Sequence, residues 1–269
     1  MKCVGDNTNG QTISAPGNLP QTDITSVTAG LTHSCSLTST GTVDCWGNND
    51  FGQLGDGSTI DTTGTDSPVS VDTTAQFNSI VAGGNSTCAV ATDRKLHCWG
   101  ANNSNQFAQL SAGLEVTPVE TDLTEVVTAV IGGEDNGSGF VCALKANGSV
   151  SCRGNITGAP SGNNYVAISA SRRHVCTINE TGAAFCFGES GSKINNGIEG
   201  LAAISAGNTH TCGLSKDKKI QCWGYRTDGR LGDNLTAGQT TVPQNVVVDG
   251  AATLFDPTIK RCKVYEIGD

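Results

Sequence analysis

The chain has 269 residues and a formal net charge of −9, with 25 acidic against 16 basic residues. That balance argues against a nucleic-acid or anionic-membrane partner, because phosphate binding needs a concentrated basic surface, and no apolar run is long enough to span a bilayer as a helix. Aromatic residues make up only 5% while 35 residues are glycine, so any single core would be thin, and units that bury surface against their neighbours are expected instead.

Twelve cysteines fall into pairs of one spacing. Cys35 and Cys45, Cys88 and Cys98, Cys142 and Cys152, Cys176 and Cys186, and Cys212 and Cys222 are each ten residues apart. Cys3 and Cys262 remain; seven steps from Cys262 to Asp269 and three more through Met1 to Cys3 give ten again when the ends are joined. The register predicts six copies of one unit, with the ends of a ring sharing the last copy. Regular pairs also predict disulfides, which persist in secreted, periplasmic or cell-surface settings. Met1-Lys2-Cys3 lacks the apolar segment of a signal peptide, so a processed or recombinant start is expected.

In chain order, residues 24–30, 77–84, 126–133, 165–171 and 201–207 each read as a buried strand closed by a tight turn. Residues 251–257 are the sixth such run and have lost the terminal glycine. An alternating segment follows, as in His33-Ser34-Cys35-Ser36-Leu37, then a turn and a second alternating segment ending in Cys-x-Gly, which is a hairpin. With Ser39, Thr40 and Gly41 in the loop, Cys35 falls opposite Cys45, close enough for a cross-strand disulfide. The last loop position needs positive φ and is Gly41, Gly148, Gly182 and Gly268 in four copies. Arg94 and Lys218 hold it in the other two, so those turns are either strained or of another type. Each short bridge contributes at most roughly 3 kcal/mol by loop entropy, and a Cys3–Cys262 bridge roughly 5 to 6.

Proline then marks outer fourth strands at Leu19-Pro20-Gln21, Pro68-Val69-Ser70-Val71, Pro118-Val119-Glu120 and Val242-Pro243-Gln244, since proline is confined to sheet edges. The third and fourth copies are short here, and their outer strand is expected to be abbreviated or missing. Four short antiparallel strands per copy in a ring predict an all-β, six-bladed β-propeller, one domain over 1–269. Its blades run approximately over 24–76, 77–124, 125–164, 165–200, 201–249, and 250–269 joined with 1–23. The C-terminal hairpin pairs with the N-terminal strand around Lys2-Cys3-Val4. An open β-solenoid is the alternative, but it has no need for matching ends.

These residues resemble the regulator of chromosome condensation repeat. Its apolar-Ala-Gly run, His, Gly turn, Trp-Gly-Asn and Gly-Gln-Leu-Gly appear as Val27-Thr28-Ala29-Gly30, His33, Gly41, Trp46-Gly47-Asn48 and Gly52-Gln53-Leu54-Gly55. The pattern recurs at Ile204-Ser205-Ala206-Gly207, His210, Trp223-Gly224 and Leu231-Gly232, and more weakly elsewhere. The bacterial β-lactamase inhibitory protein II group, compact secreted propellers, is similar to this family. The resemblance implies a propeller. Those relatives have seven blades and generally lack the hairpin cysteine pair, and nucleotide exchange on a small GTPase does not suit an oxidising compartment.

His33, His174 and His210 stand two residues before the first hairpin cysteine, where Ser86, Phe140 and Lys260 stand in the other copies. Equivalent positions on different blades lie at least about 10 Å apart, too far to share a metal. A buried hydrogen bond to backbone is expected instead. Trp46, Trp99 and Trp223 occupy the x of Cys-x-Gly, with Arg153, Phe187 and Val4 in the other copies; packing between blades is expected over sugar stacking. The loops 52–57 and 229–234 lack the alternating carboxylates of a calcium site and read as turns. Sequons place candidate glycans at Asn85, Asn102, Asn136, Asn147, Asn155, Asn179 and Asn234.

Loops joining the first and second strands share one face and differ most between copies. Glu134, Asp135, Arg172, Arg173, Lys260 and Arg261 in those loops are the expected partner-binding residues. No nucleophile elbow, zinc spacing or phosphate loop is present, and full cysteine pairing leaves no free thiol. The sequence therefore points to a secreted or cell-surface propeller that binds a protein or acts as a scaffold, with no cofactor, metal or membrane insertion and no enzymatic activity. A carbohydrate-binding lectin and a self-assembling surface protein are the alternatives.

Overall fold

The computed structural model describes residues 7–12, 23–62, 67–107, 113–133, 139–188 and 198–247. Among the described residues five antiparallel sheets follow one another along the chain. The first joins β1 (Ile24–Ala29), β2 (His33–Thr38), β3 (Val43–Gly47) and β4 (Val69–Ser70), and the second joins β5 (Phe77–Gly83), β6 (Ser86–Ala91), β7 (Leu96–Ala101) and β8 (Leu114–Glu120). The third holds β9 (Val126–Gly132), β10 (Phe140–Lys145) and β11 (Val150–Gly154), and the fourth β12 (Tyr165–Ala170), β13 (His174–Asn179) and β14 (Ala184–Gly188). The fifth contains β15 (Leu201–Ala206), β16 (His210–Ser215), β17 (Ile220–Tyr225) and β18 (Gln239–Asn245). The first strand of each sheet packs beside the first strand of the next, as in the blades of a propeller.

The fourth strands stand where proline placed them. β8 contains Pro118, β18 contains Pro243, and β4 follows Pro68; the missing N–H costs nothing on an outer edge. Among the described residues the third and fourth sheets have three strands each. Residues 19–21, 251–257, Cys3 and Cys262 lie outside the described residues.

All five hairpins share one register, with Cys35 opposite Cys45, Cys88 opposite Cys98, Cys142 opposite Cys152, Cys176 opposite Cys186 and Cys212 opposite Cys222. Each of these pairs is bonded. Their Cα atoms stand 4.0–4.1 Å apart, the close approach of a pair that exchanges no backbone hydrogen bonds. In the first hairpin the Thr38 N–H donates to Thr42 O and the Gly41 N–H to Thr38 O. The last loop residue has φ of 84° at Gly41, 78° at Gly148 and 89° at Gly182, and equally 66° at Arg94 and 63° at Lys218. The two odd turns are thus the same turn with a side chain in the left-handed region.

Two features differ from the sequence expectation. The first strands are only partly buried, whereas β2 and β6 are buried along their whole length. The second strand is flanked on both sides within its sheet, while the first is the sheet's edge. A bulge also interrupts the first pairing of every described blade, as between Ile24 and Ser26 and between Phe77 and Ser79. The extra residue re-aims the strand entry, and nothing in the apolar pattern announces it.

Arg94 and Lys218 give the hairpin account a direct test. A left-handed non-glycine residue costs about 1–2 kcal/mol, and glycine recovers most of this less about 0.5–1 kcal/mol of extra unfolded-state entropy. The Arg94–Glu125 pair at 3.7 Å is exposed and adds little. Arg94→Gly and Lys218→Gly are each expected to raise urea-unfolding stability by about 0.5–1 kcal/mol, and Gly41→Arg to lower it.

Candidate functional site

The core of this protein lies between blades. Cys35, Leu37, Cys45 and Leu54 of the first blade pack with Phe77, Ala89 and Trp99 of the second. Phe140, Cys142 and Leu144 pack with Val175 and Phe187 across the third and fourth, and Cys176, Ile178 and Cys186 with Leu201 and Trp223 across the fourth and fifth. Each aromatic residue of Cys-x-Gly in these layers therefore fills the seam behind its own blade. Trp46, Trp99 and Trp223 are 1%, 0% and 0% exposed, which leaves no indole face for a sugar.

A backbone carbonyl organises the seams that Trp46 and Trp99 close. The Trp99 indole N–H donates to Gln53 O at 3.0 Å, and the Thr87 hydroxyl donates to the same carbonyl at 3.0 Å. The Trp46 indole and the Ser34 hydroxyl meet in the same way on Gln11 O, both at 2.9 Å. Gly55 abuts the Trp99 ring so closely that a Cβ there would come within 2.7 Å of its nitrogen.

The histidines complete the latch, though not by the expected bond to backbone. His33 Nε2 lies 2.8 Å from Thr87 Oγ1, and His174 Nε2 lies 2.8 Å from Thr211 Oγ1. The partner is a hydroxyl of the next blade, because the second strand points its residue 33-type side chain across the seam. The Thr87 proton is spent on Gln53 O, so the His33 Nε2–H must be the donor. That tautomer leaves Nδ1 as a bare acceptor, and His33 Nδ1 is buried without a partner. In the fourth blade Ser171 stands where Gly30 stands in the first, and its hydroxyl lies 2.8 Å from His174 Nδ1. Where the ring is Phe140, the answering residue is Val175 rather than threonine.

Burial alone lowers the His33 pKa to about 4. His97 and His210 are lowered in the same direction by burial, with the Arg230 charge adding to the effect at His210. Arg153 takes the tryptophan's place in the third blade. It pairs with Asp122, Nε lying 3.2 and 3.1 Å from Oδ1 and Oδ2 and Nη2 2.6 Å from Oδ2.

The loop at 52–57 is made of turns and bends, as read from sequence. The Leu54 N–H donates to Asn49 Oδ1 at 3.0 Å and seats Leu54 at 0% exposure. Residues 102–107 form the same loop, with the Phe107 N–H on Asn102 Oδ1 at 3.0 Å and Asn105 at φ 52° in the place of Gly52. Sequence reasoning missed this copy; its signal was an Asn five residues before an apolar residue, twice. It also corrects one glycan expectation, since Asn102 is 0% exposed and has no room for a sugar. Asn147 and Asn179 sit in hairpin turns, each accepting from the N–H two residues on. Asn85 is half-buried, Asn155 and Asn234 are exposed, and Asn136 lies outside the described residues.

Of the expected partner-binding residues, Arg172 and Arg173 lie in the loop between β12 and β13, half-buried and exposed respectively. Both interact within the chain. Glu134, Asp135, Lys260 and Arg261 lie outside the described residues, so the proposed cluster is represented by its arginine pair. Among the described residues no three His, Cys, Asp or Glu side chains gather as a metal site, and no helix is long and apolar enough to cross a membrane.

Comparison with known proteins gives this geometry a family context. The regulator of chromosome condensation (RCC1) repeat matches residues 24–53, 77–106 and 202–230, and in a second description 40–90. These are the blades that carry Cys-Trp-Gly; the third and fourth do not. The ultraviolet-B receptor UVR8 of Arabidopsis thaliana is 24% identical over 245 residues, covering 78% of this chain and 55% of the relative. The chain thus spans about half the length of that curated relative. Human WBSCR16 superposes with a TM-score of 0.71 at 16% identity, over 91% of this chain and 75% of that one. The ectodomain of the Arabidopsis thaliana receptor kinase ACR4 does so with 0.56 at 23% identity, over 82% and 70%. These likenesses show the fold.

The latch makes stability depend on pH in a defined window. A histidine near 6.5 when unfolded and about 4 when folded binds protons first in the unfolded state. Stability is therefore full above pH 6.5, falls as pH drops from 6.5, and stops falling near pH 4. The loss assigned to His33 is about 3 kcal/mol. His33→Phe, which imitates Phe140, is expected to remove that share of the acid slope in unfolding curves between pH 6.5 and 4; an unchanged slope would show that His33 is not buried neutral.

Proposed function

Because the chain carries repeats of the regulator of chromosome condensation (RCC1) family, we propose that it is a protein-binding propeller of the cell exterior and not an enzyme. The carrying observation is the division of labour within each blade. Strands two and three are stapled by a cross-strand disulfide in every described blade, while the loops joining strands one and two differ in length and charge between blades. A rigid frame that presents variable loops on one face is the arrangement of a recognition surface. Buried cystines in number suit a secreted or surface-exposed protein, and the likeness to a receptor ectodomain agrees with that setting.

In this reading the ring has six blades. The sixth is made of residues 250–269 and 1–23, closed by Cys3–Cys262. Arg172 and Arg173 lie on the binding face, with Glu134, Asp135, Lys260 and Arg261 in the equivalent loops.

Reversal of Arg172 and Arg173 to Glu tests the face. Against a partner captured from the native extracellular fraction, affinity is expected to fall by about tenfold, roughly 1.4 kcal/mol, at an unchanged melting temperature. Equal affinity sinks the assignment of the face; glycans retained in place of proteins select the lectin reading.

A further inference from the structure

We propose that the outer edge of β11 is a docking site for an extended segment of a protein partner, which joins the third blade as its fourth strand. This rests on the protein-binding reading and adds a second contact to the variable face.

The blades that have a fourth strand show what such an edge takes. In each of them the residue after a proline stands opposite the second hairpin cysteine: Val69 after Pro68 faces Cys45, Val119 after Pro118 faces Cys98, and Gln244 after Pro243 faces Cys222. Two residues further on, the Val71, Thr121 and Val246 N–H groups donate to Val43, Leu96 and Ile220 O at 3.0, 2.9 and 3.0 Å. Under this strand the cysteine and the two residues after it are buried, as Cys45-Trp46-Gly47, Cys98-Trp99-Gly100 and Cys222-Trp223-Gly224.

The third blade lacks that cover. Ser151, Cys152 and Arg153 are half-buried and Gly154 is exposed. Residues 155–164, which lead on to β12, are described throughout and form no strand. They lean toward the fourth blade instead: Ile156 Cδ1 stands 3.2 Å from where a Gly188 Cβ would be, and Phe187 Cβ 3.5 Å from where a Gly158 Cβ would be. The pair Cys142–Cys152 exchanges no backbone hydrogen bonds, so Val150, Cys152 and Gly154 turn their N–H and C=O groups to the outer edge. Gly154 O accepts from the Ile156 N–H at 3.0 Å, and Cys152 O accepts from Arg153 Nη1 at 2.8 Å and keeps a second lone pair. The Val150 N–H, Val150 O and Cys152 N–H have no partner among the described residues. β11 also carries neither the proline nor the lysine that commonly protects an edge. The fourth blade is different, because its Ala184 N–H donates to Ile198 O at 2.8 Å and its Cys186 and Phe187 are buried.

The sister blades also define the ligand. A β-branched residue after proline covers the cystine, as Val69 and Val119 do. The next residue bonds across to the one before the cysteine: the Ser70 hydroxyl donates to Asp44 Oδ1 at 2.7 Å, and Gln221 Nε2 to Asn245 Oδ1 at 3.1 Å. The third blade has Ser151 there, so the complement is a carboxylate, with serine and aspartate in exchanged places. The segment that fits is Pro-Val-Asp followed by Val or Thr. So short a strand buries too little to hold two copies of this chain together, but suits a linear segment added to a sheet edge.

The probe is a synthetic peptide with the sequence of residues 115–123 carrying Glu120→Asp, added to the whole protein. It is expected to bind with a Kd below about 1 mM. On binding, amide hydrogen exchange measured by NMR should slow at Val150 and Cys152 and stay unchanged at Ser151 and Arg153, whose N–H groups already face β10. N-methylation of the peptide at the position of Thr121, whose N–H would meet Val150 O, should weaken binding at least about tenfold. N-methylation one residue earlier, where the N–H points away, should not. No binding, equal effects of the two methyl groups, or protection at Leu96 and Cys98 in place of Val150 and Cys152, the mark of exchange with β8, would overturn the edge. None of these results touches the reversal of Arg172 and Arg173, so the edge can fail while the protein-binding reading stands.

Discussion

A cystine placed between two strands at the centre of each described blade sets the terms for the rest of the molecule. It fixes the hairpin register, and with it which residues of strands two and three face the adjoining blades. Blades this small have little interior of their own, so their apolar faces are satisfied only by the next blade. The cystines sit in those seams, fully buried in most blades. Reduction would cost both the local constraint and the packing around it.

Register alone does not join the blades; polar bonds across the seams do so with direction. One Gln53 carbonyl gathers Trp99 and Thr87, and Thr87 in turn receives His33. The chain of bonds runs from one blade through a loop to the next, in a seam closed to water where an unpaired group would be costly. Its composition varies by blade, with hydroxyl and imidazole in some seams, valine and phenyl in another, and an Arg153–Asp122 pair where the indole is lost. The second-to-third seam is the one described where the ring is absent, and there Ile131 stands over Gly83.

The cysteine spacing made the hairpins legible because a cross-strand pair tolerates few loop lengths. Proline marked the outer strands for an equally local reason. Less legible was anything that depends on two blades together. The hydrogen bond from His33 to Thr87 joins residues 54 apart, and only the aligned copies, His with Thr and Phe with Val one blade later, carried a trace of it. The bulges left no trace, since one extra residue near a strand start does not disturb an apolar run. The missing ring at Ser86 was visible as a substitution of His by Ser, but its replacement by Ile131 over Gly83 was not, because it depends on two blades together.

The central claim is that one cross-strand pair repeats round a closed ring. Non-reducing peptide mapping of the intact protein tests it most directly. The account predicts six bridges, the five hairpin pairs and Cys3 with Cys262. Cys3 and Cys262 found free, or joined to any hairpin cysteine, would contradict closure and the register on which the fold depends.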